Sequence, residues 1–250
     1  MQLASLGSGS KGNATLLRCG ENCVLIDCGY SLKQLEQRLQ RIDLSITDIS
    51  AVLLTHEHSD HGAGIARLLA RHDIPLWTSV GSARALGVER FQSICGGQSF
   101  LLGDNLQVQA VTVPHDAAEP IQFVFTQLDS GRRLGILTDS GHITAHMKQA
   151  YDGVHALLLE FNYDEQMLQN GPYPYHLKRR VGGLHGHLSN LQSMQLLEQI
   201  DTSRLDCLIA AHISEKNNAP HIVEQLLQQG LAAVEPILAT QQQGFDWVEI

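Results

Sequence analysis

The sequence predicts a layered α/β domain whose functional groups collect beyond the ends of its strands. Short apolar runs alternate with amphipathic helical stretches, and no low-complexity tract or linker interrupts the 250 residues. Apolar runs also stop, one after another, at His56, His115, Asp139 and His212. In α/β sheets, loops leaving strand ends on a rigid scaffold are where binding and catalytic groups gather. The length fits one large domain, residues 1–250.

In chain order, strands are expected at Leu3–Leu6, Ala14–Arg18 and Val24–Asp27. The first two flank a Gly/Ser turn, Gly7–Asn13, which can offer backbone N–H groups, hydroxyls and the Lys11 charge to an anion, although a plain hairpin turn accounts for it equally well. Ser31 caps a helix to about Arg41, with leucines at 32, 35 and 39 on one face. The run Ala51–Leu54 is a buried strand, followed by a helix from about Gly62 to Arg71. Further strands are expected at Ile74–Thr78, Leu106–Pro114, Ile121–Gln127, Arg133–Leu137, Ala156–Leu159, Leu205–Ala211 and Phe245–Ile250. Helices are expected at Ser79–Leu86, from the Ser189 cap to about Ile200, and at Ile222–Gln229.

The stretch Thr55–Gly62, THEHSDHG, places His56, His58, Asp60 and His61 within six residues. Side chains at that spacing share no single face of a helix or strand. They converge only where the chain leaves a strand, turns around a common point and enters a helix. Neutral imidazole and carboxylate suit zinc, iron or manganese. The helical HExxH zinc signature is absent, because Asp60 stands four residues after His56.

A formal net charge of −9 disfavours a protein that grips nucleic acid by bulk electrostatics but permits a local cationic site. Five cysteines without a CxxC pair read as reduced thiols in the cytoplasm. No apolar run has the length of a membrane span, and the opening MQLASLGSGSKG does not resemble a signal peptide.

Seven ligands would fill two adjacent positions for divalent ions (Zn, Mn or Fe): His56, His58 and His115 for one, Asp60, His61 and His212 for the other, with Asp139 bridging. Metals about 3.5–4 Å apart can hold a bridging hydroxide as nucleophile. Asp60 thus counts as catalytic as well as ligating. No G-x-S-x-G elbow offers a serine instead.

The HxHxDH pattern and the later strand-end His, Asp and His resemble the metallo-β-lactamase fold. SGSKGN, IDCG, HDAAEP, LTDSGH, NGPYPYHLKRR, GHLSN and HISEKNN are similar to the YycJ/WalJ group of that superfamily over about residues 3–220. The resemblance implies a four-layer αββα sandwich with a dinuclear metal site at one edge of the two sheets. It also implies a metal-dependent 5′–3′ exonuclease acting on DNA. Tyr163 stands where related sequences often have His, so that position stays outside the expected site.

Other residues fit a phosphodiester. Tyr173, Tyr175, His176, Lys178, Arg179 and Arg180 interleave aromatic and basic groups suited to bases and phosphates, or equally form a solvated helix face. Lys178 and Arg179 are the expected substrate contacts there. His187, just before the Ser189 cap, is placed to donate a proton to a leaving oxygen, with His185 its neighbour and a structural role open for either. Ser10, Lys11 and Asn13 would seat a terminal 5′-phosphate. The expected substrate is single-stranded or 5′-phosphorylated DNA. A small-molecule hydrolase (cyclic phosphodiesterase, thioesterase or lactonase) and a non-catalytic metal-stabilised binding protein are the alternatives.

Overall fold

A computed structural model describes residues 1–231 and 234–250. One sheet contains β1 (Gln2–Gly7), β2 (Ala14–Cys19), β3 (Asn22–Ile26), β4 (Ala51–Leu53), β5 (Leu76–Thr78), β6 (Gln92–Ser93) and β14 (Phe245–Glu249), in the order β14-β1-β2-β3-β4-β5-β6. The other contains β7 (Ser99–Leu102), β8 (Leu106–Thr112), β9 (Ile121–Gln127), β10 (Arg133–Leu137), β11 (Ala156–Glu160), β12 (Cys207–Ala211) and β13 (Ile237–Leu238), in the order β13-β12-β11-β10-β9-β8-β7. Both sheets are mixed. Strands β3 to β6 run parallel, as do β10 to β13, while the remaining pairs are antiparallel.

The layers follow from strand alternation. Val24 and Ile26, Ala51 and Leu53, Ala156 and Leu158, and Cys207 and Ile209 point into a common core between the sheets. Their neighbours point the opposite way. Leu25 and Val52 meet Leu32, Leu35 and Leu39 of α1 (Leu32–Gln40) and Ile65 and Leu68 of α3 (Ile65–Leu69). Leu157 and Leu208 meet Met147 of α5 (Ala145–Tyr151), Leu196 and Leu197 of α8 (Asn190–Gln199), and Val223 and Leu227 of α9 (Pro220–Gly230). Strands buried on both faces have to be apolar throughout, as ALLLE and CLIAA are except at the terminal glutamate. The result is a four-layer αββα sandwich.

Several elements differ from expectation. The helix expected over 62–71 is two short pieces, α2 (Ser59–Gly62) and α3, broken where Gly64 packs against the Tyr30 carbonyl and the Cys28 thiol. An added Cβ at Gly64 would stand 2.2 Å from Tyr30 O, so only glycine permits the approach. The strand expected to Pro114 ends at Thr112, and the last helix starts at Pro220. The short strands β6, β7 and β13 and the helices α5 and α6 (Glu165–Asn170) were not expected, while the basic segment forms a helix, α7 (Tyr175–Val181), as one of its two readings had it.

Candidate metal centre

The C-terminal ends of β3, β4, β8, β10, β11 and β12 open toward one edge of the sandwich and deliver Asp27, His56, His115, Asp139, Glu160 and His212. Asp27, Asp139 and His212 adopt left-handed backbone conformations there, with φ of 63°, 53° and 53°. Such conformations cost on the order of 1–3 kcal/mol each and collect at functional sites. The HxHxDH turn is pinned from below: Asn13 N–H donates to the Asp60 carbonyl (2.7 Å) and Cys28 N–H to the His61 carbonyl (2.7 Å).

The imidazoles are each tied through one nitrogen and open at the other, except that His61 Nε2 also meets the Asn13 amide at 3.1 Å. His115 Nδ1 donates to the Gly186 carbonyl (2.9 Å) and His58 Nε2 to the Asp116 carbonyl (3.2 Å). With those tautomers, His58 Nδ1 and His115 Nε2 turn lone pairs on each other at 3.2 Å. Thr55 Oγ1 donates to Asp27 and accepts from His56 Nδ1 (2.9 Å), leaving His56 Nε2 open. His61 Nδ1 bonds Asp27 Oδ2 (2.8 Å), and His212 Nδ1 bonds Glu160 Oε1 (3.0 Å). This is how ligating histidines are held by an outer shell of acceptors.

Atoms able to ligate converge. Ligand atoms lie mutually within 4.8 Å in the groups His56–His58–His115, Asp60–His61–His212, His56–His61–Asp139 and Asp139–Glu160–His187–His212. His56 Nε2, Asp139 Oδ2 and His212 Nε2 are buried without a hydrogen-bond partner, an arrangement a protein rarely tolerates unless something else satisfies it. His61 Nε2 lies 3.0 Å from Asp139 Oδ2 without hydrogen-bond alignment. The donor set therefore fits divalent cations.

Charge follows the same layout. Burial alone would lower His61, but the Asp139 and Asp27 carboxylates raise it well above the usual histidine range. Burial also opposes charge on His187 and His212, yet Glu160 and Asp139 carry the first to about 9 and Asp139, Asp60 and Glu160 carry the second to about 10. His56 moves the other way, far down, through burial and the neighbouring His61. Burial would raise Asp139, but His212 and His61 hold it well below the carboxylate range.

His187 Nδ1 lies 2.8 Å from Glu160 Oε1 and 3.2 Å from Asp139 Oδ1, and the residue lines a cavity of about 300 Å³ over the cluster. Ser10 lines the same cavity. The other expected substrate contacts fall elsewhere. Asn13 is buried, with Nδ2 donating to the Gly9 and Asp60 carbonyls (3.1 and 3.2 Å), so it locks the metal turn and has no amide to spare for a phosphate. Lys11 is paired with Glu215 (2.5 Å). Lys178 and Arg179 line a separate cleft, and the cation lining the cavity over the cluster is Arg180, which bonds Asp116 through Nε (2.5 Å). One residue's difference on a helix turns a side chain by about 100°.

Sequence reasoning missed Asp27 and Glu160 as site residues. Both stand where an apolar strand stops, as His56 and Asp139 do, so the strand-end rule applied to every strand would have found them.

Fold and site together define a metal-dependent hydrolase. The chain belongs to the beta-lactamase superfamily, whose domain matches residues 22–213. It is similar to the protein named exodeoxyribonuclease YycJ from Bacillus anthracis, 32% identical over 92% of this chain and 89% of that one. It is also similar to exodeoxyribonuclease WalJ from Streptococcus pneumoniae, 29% identical over 92% and 88%. Among solved structures, the metallo-β-lactamase fold protein YhfI from Bacillus subtilis superposes with a TM-score of 0.76 at 15% identity, covering 100% and 99% of the two chains. Zinc-bound PqqB from Methylobacterium extorquens superposes at 0.74 and 17%, covering all of both.

Proposed function

We propose that this protein is a 5′–3′ exonuclease on DNA, a metal-dependent phosphodiesterase whose residues 1–250 work as one cytoplasmic domain. The observation that carries the reading is the set of orphaned buried atoms, His56 Nε2, Asp139 Oδ2 and His212 Nε2, in a chain similar along 92% of its length to a protein named exodeoxyribonuclease. In this reading His56, His58 and His115 would hold one divalent ion and Asp60, His61 and His212 a second, with Asp139 within reach of either set. Zinc, manganese or iron suits these donors. Bound there, such ions acidify water and neutralise charge on a phosphodiester.

The chain's own groups supply the rest. Asp27 and Glu160 orient the imidazoles. His187, with Nδ1 held by Glu160, turns Nε2 toward the cavity and donates the proton that a leaving oxygen needs. Arg180, steadied by Asp116, contacts a substrate phosphate.

The test compares labelled single strands with 5′-phosphate or 5′-hydroxyl ends, in manganese and in chelator, using wild type and Asp60→Ala. Stepwise release of mononucleotides from the 5′ end, lost with chelator and with Asp60→Ala, is expected. Turnover of bis(nitrophenyl) phosphate with no oligonucleotide cleavage would overturn the reading in favour of a small-molecule hydrolase.

A further inference from the structure

Helix α7 separates two cavities. Leu177, Arg180 and Val181 line the catalytic one, whereas Tyr175, Lys178, Arg179 and Gly182 line a second, of about 470 Å³. The latter four fall at i, i+3, i+4 and i+7, one stripe of the helix, so the two cavities flank a single turn-rich wall. Tyr163 and Leu168 complete the second cleft's apolar side.

Tyr175 is 75% exposed, unusual for so large an aromatic side chain, and the Arg179 guanidinium lies 5.9 Å from its ring centre. Lys178 Nζ donates one bond to the Gln169 carbonyl (2.7 Å) and retains two protons. Among the described residues, the lysine and arginine ion pairs involve Lys11, Arg90, Arg132 and Arg180, not Lys178 or Arg179. The acid at the cleft, Glu165, accepts from Ser189 Oγ (2.7 Å). A chain of net charge −9 thus keeps two cations without acidic partners beside an uncovered ring.

We infer that this outer cleft is an exosite for the trailing portion of a single nucleic-acid strand whose end occupies the catalytic cavity, an inference that rests on the nuclease reading above. Exposed aromatic rings stack bases and neighbouring cations hold phosphates without sequence preference. A helix is about 10–12 Å across with its side chains, a distance that a few nucleotides span. The two cavities on opposite sides of α7 thus lie within reach of one strand, which commits the cleft to the substrate already engaged.

Two measurements test this. Across 5′-phosphorylated strands from dinucleotide to decanucleotide, wild type should show KM falling with length. Lys178→Gln/Arg179→Gln and Tyr175→Ala should raise the decanucleotide KM roughly tenfold, toward the dinucleotide value, in line with the stacking and phosphate contacts removed. A KM that rises by the same factor at every length, or does not rise, overturns the exosite. Independently, anisotropy of a labelled decanucleotide on metal-free protein should show a salt slope smaller by about 1.4 in the double variant, about 0.7 per phosphate contact. An unchanged slope overturns it as well. Binding through Lys178 and Arg179 without cleavage would retire the nuclease reading and leave the cleft as a nucleic-acid-binding site alone. Cleavage indifferent to both residues would do the reverse. Thermal melting of each variant verifies the fold.

Discussion

Glu160 Oε1 accepts from His187 Nδ1 at 2.8 Å, and Glu160 is fully buried. Asp27 does the same for His61 at 2.8 Å on the opposite sheet. Each sheet therefore supplies a buried carboxylate whose task is to aim an imidazole.

Replacing Glu160 with Gln keeps the shape but brings an amide N–H₂ against donors that now bond the carboxylate, among them Ser140 N–H (3.2 Å) and Leu188 N–H (3.1 Å). The metal-free protein should lose about 1–3 kcal/mol in urea unfolding. Activity or metal affinity should fall about 10–100-fold, read by chelator competition.

Asp27→Asn should act on the other half. Thr55 donates to Asp27 Oδ1 through both N–H (2.8 Å) and hydroxyl (3.0 Å), and Asp27 Oδ2 holds His61. We expect about 10–100-fold weaker metal binding with a smaller effect on substrate KM. An unchanged metal affinity would contradict the orienting role.

The metal-free protein should weaken as pH rises. His187 and His212 are raised in the folded state to about 9 and about 10, above an unfolded value near ~6.5. Groups with raised folded values contribute fully below the unfolded value and lose that contribution as pH climbs through the folded one. Unfolding free energy measured in chelator should therefore decline from about pH 7 to 10, and His187→Gln should flatten the lower part of that decline. Metal loading should release protons for the same reason, measured by calorimetry in buffers of different ionisation enthalpy.

Gly29 should tolerate no side chain. A Cβ there would stand 1.8 Å from the Asp60 carbonyl oxygen and 2.8 Å from Asn13 N, both backbone atoms that cannot step aside. Gly29→Ala should lower the melting temperature and metal affinity together. Gly20→Ala is the comparison: its φ is 57° with nothing within 4 Å, so only the left-handed cost of about 1–2 kcal/mol applies.

The sequence disclosed what burial on both faces enforces. Runs such as Ala51–Leu54 and Cys207–Ala211 are apolar because each lies between two packed layers, and a polar residue at their ends stands out. Glu160 closes such a run too, but it has no histidine partner nearby in sequence, since His187 and His212 arrive from loops 27 and 52 residues later. Prolines and glycines surround helix α7, so the sequence leaves its start open and with it the face each basic residue takes. Strands β6 and β13 have two residues each and exist only through pairing with neighbours.

His56, His58, Asp60 and His61 come from one half of the sandwich, and His115, Asp139 and His212 from the other. A cation held by residues of both would act as a rivet across the seam between the halves. Stripping it would let them part at that edge first, so susceptibility to protease in the loops bearing His58 and His187 becomes a gauge of occupancy.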